Sequence, residues 1–134
     1  MAVECRPDFG SIFPGFALDG YIDVILGGPT LRFKDLKTAK DSRAVDSWGR
    51  VQLRLYTLPW YLEGQPVELQ IDTITKAKIP DVFHTAVEAD PLGYEAARKW
   101  VLHTAGLISD AMKSGDFPAS PSWTCKYIHE LSAA

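Results

Sequence analysis

Cysteine is nearly absent from this chain: there are two, Cys5 and Cys125, at opposite ends. So placed, they have neither metal-ligand spacing nor the density of a disulfide framework, and free thiols are expected. Long apolar runs are also missing. No stretch approaches the roughly 20 residues a transmembrane helix needs, and MAVECRPDFG lacks the charged-then-apolar layout of a signal peptide. A cytoplasmic location with no membrane partner is the expectation. Histidine is sparse, and His84, His103 and His129 lie too far apart in sequence to suggest a zinc site. No repeat, low-complexity segment or interdomain linker is visible.

What is present is enough apolar material for one core: 134 residues at 46% hydrophobic composition predict a single soluble domain, 1–134. The net charge of −3 argues against a general nucleic-acid binder, but it is unevenly spread. Between Arg32 and Arg54 stand Arg32, Lys34, Lys37, Lys40, Arg43, Arg50 and Arg54 against Asp35, Asp41 and Asp46, a local excess of +4 within a chain whose remainder is −7. Such a run is either a solvated face or a phosphate-binding surface.

AVECR reads as a short strand, and FALDGYIDVIL, after a turn-rich segment, as a second. GGPT is a turn signal, so TLRFKDLKT should return antiparallel to the second strand. The polar AKDSRAVDS ends in Asp46 and Ser47, good N-caps for a helix from about Trp48. Val51, Leu55, Leu58 and Leu62 give that helix its apolar face and Gly64 its stop, with Pro59 predicting a kink or an early end. PVELQIDTITKAK is another strand, IPDVFHTAVEA reads as a loop, and Asp90-Pro91 caps a helix from Leu92 to about Lys113 closed by Ser114-Gly115. Trp100 is read as a helix-packing residue, and the tail from Asp116 as loop-like.

Strand alternation puts Asp35 and Lys37 on one face with Leu36 on the other. An isolated D-x-K triplet is usually a surface ion pair. The preceding strand changes its meaning, because GYID sets Asp23 on the hairpin partner, and two carboxylates in reach of one point make a site for a hard cation such as Mg²⁺ or Mn²⁺. With a cation there and Lys37 beside it to orient or deprotonate water, the chemistry is phosphodiester hydrolysis. Gln52 and Tyr56, four apart on the next helix, share a face beside Arg43, Arg50 and Arg54.

In this order, GYID, DLK followed by Thr38, and QLRLY resemble the motifs of the PD-(D/E)XK nuclease superfamily, in particular its RecB-like and phage exonucleases. The resemblance runs from about Gly15 to Cys125. It implies an α/β restriction-endonuclease-like core, a mixed β-sheet flanked by α-helices. It also implies a DNA substrate, with Asp23, Asp35, Lys37, Gln52 and Tyr56 as the catalytic set. Asp23, Asp35 and the backbone carbonyl of Leu36 would be the metal ligands, and Lys40, Arg43, Arg50 and Arg54 would contact nucleic acid. Exonuclease action is expected by resemblance alone.

Two departures stand out. Many relatives hold an iron–sulfur cluster through four cysteines, whereas CKYIHEL offers only Cys125, with Ile128 where another cysteine would fall; no cluster is expected. Relatives also carry a helical region before the first strand that often adds a site acid. Here only Glu4 is available there, with Asp19 as a further candidate for a second cation. A bare sheet face bearing Ile22, Val24, Leu26 and Leu36 would then need a homo-oligomer or a protein partner to cover it. A non-cutting nucleic-acid-binding or assembly module on the same scaffold, and a domain acting on another phosphorylated substrate, are the open alternatives.

Overall fold

The computed structural model describes residues 2–40 and 47–117. The elements are β1 (Ala2–Cys5), β2 (Ile22–Leu26), β3 (Leu31–Ala39), α1 (Ser47–Leu62), β4 (Val67–Thr75), β5 (Val82–Val87) and α2 (Pro91–Ser114). The strands form one sheet in the order β1-β2-β3-β4-β5. Every neighbouring pair is antiparallel except β3 and β4. That exception follows from the connection, since a parallel pair needs a long crossover and α1 supplies it. The mixed sheet with flanking helices is the α/β architecture expected from the sequence.

By compactness the chain divides into residues 1–102 and 103–134. The first unit holds a core built on Phe13, Phe33, Leu53, Leu58, Ile71 and Tyr94, all within 2% of full burial. α1 buries one stripe against the sheet, with Trp60 packed on Phe33 at 5.1 Å between ring centroids. Its C-terminus closes on Gly64, whose φ of 79° suits a residue without a β-carbon. The Gly64 N–H donates to Tyr61 O and the Gln65 N–H to Trp60 O. In the second unit the last described turns of α2 close on Gly115, with φ 74° and its N–H on Ala111 O.

Three elements differ from expectation. Residues 16–21 are not strand, and β2 begins only at Ile22. Pro59 does not end α1, which runs to Leu62. The segment read as the loop 79–89 contains β5, closed onto β4 by the Thr75 N–H to Asp81 O and the Asp81 N–H to Thr75 Oγ1, both 2.9 Å. β5 is an edge strand with only Val87 buried, so its sequence carries almost no inside-outside alternation. Residues 118–134, with Cys125, Ile128 and His129, and the segment 41–46, with Arg43 and Asp46, lie outside the described residues.

The sheet face away from α1 is less apolar than expected. Leu36, Ile74 and Val82 are exposed there, but Ile22 is buried and the middle is polar. Asp72, 8% exposed, accepts from Gln70 and pairs with His84 Nδ1 at 2.6 Å, and Lys34 Nζ stands 3.8 Å away.

Candidate active site

β2 and β3 pair as Val24 with Lys34, Ile25 with Phe33 and Leu26 with Arg32. One further step of that register sets Asp23 across from Asp35, on the face that α1 covers. Here the backbone ladder gives way to a side chain: the Leu36 N–H donates to Asp23 Oδ2 at 2.8 Å. Asp23 is thereby fixed by the strand that carries its partner acid.

Lys37, two residues along β3, turns the same way as Asp35. Its Nζ lies 3.0 Å from Asp35 Oδ2 and donates to Gln52 Oε1 at 3.1 Å. Gln52 in turn donates through Nε2 to the Tyr56 hydroxyl at 3.1 Å. The i, i+4 spacing on α1 makes that last bond possible, and α1 reaches Lys37 because it is the crossover between β3 and β4. All five catalytic candidates therefore meet at one place.

Asp35 is held above the ordinary carboxylate range, by burial first and by the nearby Asp23 carboxyl, against the lowering pull of Lys37. Asp35 Oδ2 is buried and has no hydrogen bond of good geometry, even with Lys37 3.0 Å away. A largely buried carboxylate beside a second one, with an oxygen poorly satisfied, is electrostatically costly without a counter-ion. Among the described residues no three histidine, cysteine or acidic side chains converge. Two carboxylates match Mg²⁺ or Mn²⁺, which retain waters and use few protein ligands, and do not match a structural zinc.

The remaining candidates separate. The described basic residues from Arg32 to Arg54 do not form one surface. Arg32 pairs with Glu68 at 3.1 Å and Lys34 faces Asp72 on the opposite side of the sheet. Arg54 is tied to Glu88 O at 2.9 Å and Asp90 Oδ1 at 3.1 Å, with its side chain 18% exposed, so it joins α1 to the start of α2. Lys40 is exposed at the end of β3 and Arg50 is half-buried on α1. Asp19 is engaged by Arg6 through two bonds of 2.6 Å. Trp100 is 43% exposed and meets Trp48, 47% exposed, edge to face at 4.7 Å, one helical turn before Gln52.

Two residues escaped the sequence reading. Gly20 lies under Tyr56: a β-carbon there would come within 2.7 Å of the ring, so the glycine of GYID admits the tyrosine that holds Gln52. Thr73 on β4 is in register with Lys37 and 1% exposed. Its signal, a hydroxyl among the apolar residues of a buried strand, becomes legible only once the strand pairing is known.

The PD-(D/E)XK nuclease superfamily model matches residues 1–127. No curated protein sequence matches the chain. A crystal structure described as a "Putative exonuclease" from Eubacterium rectale superposes with a TM-score of 0.51 at 15% identity, over 81% of this chain and 46% of that one. The crystal structure of SSO0001 gives 0.47 at 13% identity, over 93% and 53%. The chain thus spans about half the length of these solved structures. The superfamily match carries with it the restriction-endonuclease-like fold. No helix among the described residues is long and apolar enough to cross a membrane.

Proposed function

This chain belongs to the PD-(D/E)XK nuclease superfamily, and from that membership and the site geometry we propose that it is a Mg²⁺- or Mn²⁺-dependent deoxyribonuclease acting as an exonuclease. One observation carries the reading: Lys37 stands between Asp35, itself opposed to Asp23, and Gln52, held by Tyr56. A surface ion pair needs no such buttress.

Asp23, Asp35 and the Leu36 carbonyl would hold the cation. Along a strand the N–H and C=O of one residue point toward the same neighbour, so the Leu36 carbonyl faces Asp23 as its N–H does. When bound, the cation would supply Lewis acidity and offset charge growing on the scissile phosphate. The Lys37 ammonium has three donors; Gln52 takes one, the Asp35 carboxylate stands beside it as an ion pair, and a remaining donor orients the attacking water or a phosphate oxygen. Water adds to phosphorus as the bond to one sugar oxygen breaks, leaving a phosphate monoester on one product and a hydroxyl on the other. Gln52 and Tyr56 keep the Lys37 side chain in that line. Lys40 and Arg50, the predicted DNA-binding residues not engaged elsewhere among the described residues, follow the DNA backbone, while Arg54 is assigned to the fold.

The exonuclease mode rests on the motif resemblance and on the name of the Eubacterium rectale protein. A second reading, a module of the same fold that binds nucleic acid without cutting it, is favoured by the presence of only two site carboxylates among the described residues. Incubating the pure protein with labelled linear and circular, single- and double-stranded DNA, with and without Mn²⁺, decides between them. Mn²⁺-dependent loss of linear but not circular DNA is expected; binding without loss supports the second reading.

A further inference from the structure

Among the described residues three threonines are buried: Thr57, Thr73 and Thr75. Two have conventional partners. Thr57 Oγ1 donates to Leu53 O at 2.9 Å and shares a hydrogen bond with the Tyr94 hydroxyl at 2.8 Å. Thr75 Oγ1 accepts the Asp81 N–H at 2.9 Å. Thr73 Oγ1, in a residue 1% exposed, has no hydrogen-bond partner among the described residues. Burying an unpaired hydroxyl costs about 1–3 kcal/mol, and valine would fill the same space without that cost. Among the described residues one other buried side-chain atom lacks a hydrogen bond of good geometry: Asp35 Oδ2, which has only the Lys37 ammonium 3.0 Å away.

The coincidence is spatial as well as chemical. In the parallel ladder Asp35 pairs with Ile71 and Lys37 with Thr73, so pleating puts all four side chains on the α1 face. Asp35 and Thr73 are diagonal neighbours on adjoining strands, separated by roughly 6–8 Å at their backbones. Two oxygens borne by such neighbours can be bridged by one water through two hydrogen bonds of about 2.8 Å.

We propose that Thr73 is a positioning residue of this site: its hydroxyl and Asp35 Oδ2 together hold one water molecule that fixes the Asp35 carboxylate for the cation. This rests on the cation site described above. Thr73 acts through Asp35 and touches no substrate. The hydroxyl satisfies its own hydrogen-bonding capacity in the same act, which accounts for a threonine at a position where packing alone would favour valine.

Calorimetric titration of Mn²⁺ without DNA, together with thermal melts of the metal-free full chain, tests this on Thr73→Val and Thr73→Ser. Loss of a group that orients a metal ligand typically weakens binding 10- to 100-fold. Thr73→Val should therefore bind Mn²⁺ about tenfold more weakly while its metal-free Tm is equal to or above that of the wild type. Thr73→Ser should bind within about twofold of the wild type. Wild-type Mn²⁺ affinity in Thr73→Val overturns the inference and leaves the cation site standing. A lowered Tm in Thr73→Val with no recovery of Mn²⁺ affinity in Thr73→Ser shows a packing role and also overturns it. No Mn²⁺ binding by the wild type would remove the cation site itself, and this inference with it.

Discussion

Replacing Asp35 by asparagine should stabilise the metal-free protein and destabilise it relative to wild type once Mn²⁺ is added. Without metal, Asp35 is a mostly buried carboxylate, its side chain 17% exposed, set beside Asp23 with Oδ2 poorly hydrogen-bonded. Its one cationic neighbour, Lys37, is 40% exposed and retains water and Gln52 if Asp35 loses its charge. Removing an ill-satisfied buried charge while leaving a partner that can solvate should gain about 1 kcal/mol, or about 4 °C in Tm for a chain of this size. The pH dependence has a definite sign. A raised folded pKa means that the native state holds this proton more tightly than the unfolded chain. The stability it contributes is complete below the unfolded value of about 3.9 and is lost as pH rises through the folded value. The Tm advantage of Asp35→Asn should therefore open as pH is raised from about 4. Mn²⁺ at about 100 times its Kd adds about 2.7 kcal/mol to the wild type and nothing to the variant, so the order of the two melts inverts. Differential scanning fluorimetry over a pH series, with and without Mn²⁺, reads all of this. A variant less stable than wild type without metal, or equally stabilised by Mn²⁺, would refute the reasoning.

Lys37→Ala should bind Mn²⁺ within about twofold of wild type yet lose about 10²–10⁴-fold in cleavage rate; full activity in a nuclease assay would reassign the lysine. Gly20→Ala drives a β-carbon toward the Tyr56 ring and should cost about 1–3 kcal/mol in urea melts while lowering cleavage through Gln52; a neutral substitution would show that the ring moves freely. Replacing Lys40 and Arg50 together by Glu should make the plot of log DNA affinity against log salt shallower, by about one unit of slope for each phosphate no longer neutralised, measured by anisotropy in Ca²⁺. An unchanged slope would remove both residues from the DNA path. Tyr94, pushed up to about 12 by burial, should ionise in a late step of an ultraviolet titration. Stability should fall between about pH 10, the unfolded value, and that pH; Tyr94→Phe should abolish the late step.

The helices and the site strands were legible because their signals are local. Asp90 caps α2 by accepting the Gly93 N–H at 3.1 Å, and Gly64 and Gly115 end the two helices at left-handed φ values, as their positions in the sequence suggested. D-x-K on a strand and Q-x-x-x-Y on a helix each fix side-chain direction by period alone. What could not be read depends on pairing across the chain. β5 gains its order from β4 and buries only Val87, so its residues show no pattern of their own. The basic excess from Arg32 to Arg54 looked like one surface because charge was counted along the chain. β3 sends alternate residues to opposite faces, and Asp72, Glu68 and Asp90, all distant in sequence, claim three of the seven cations.

The same sheet also separates Asp35, the candidate cation ligand, from Asp72. Asp72 is buried and Asp35 half-buried on adjacent central strands, and the register pairs Asp72 with Leu36, the residue next to Asp35. Burial pushes each upward. At Asp72 the bonds from His84 and Gln70 and the charge of Lys34 outweigh burial, and the carboxyl titrates below the ordinary range. At Asp35 the nearby carboxyl of Asp23 works in the other direction, and Lys37 does not overcome it. Environments that drive two similar acids apart mark different roles. Asp72 has its counter-charges built into the protein and serves the sheet. Asp35 is left incompletely neutralised beside Asp23, which the Leu36 N–H fixes, and the proposed cation would complete the balance.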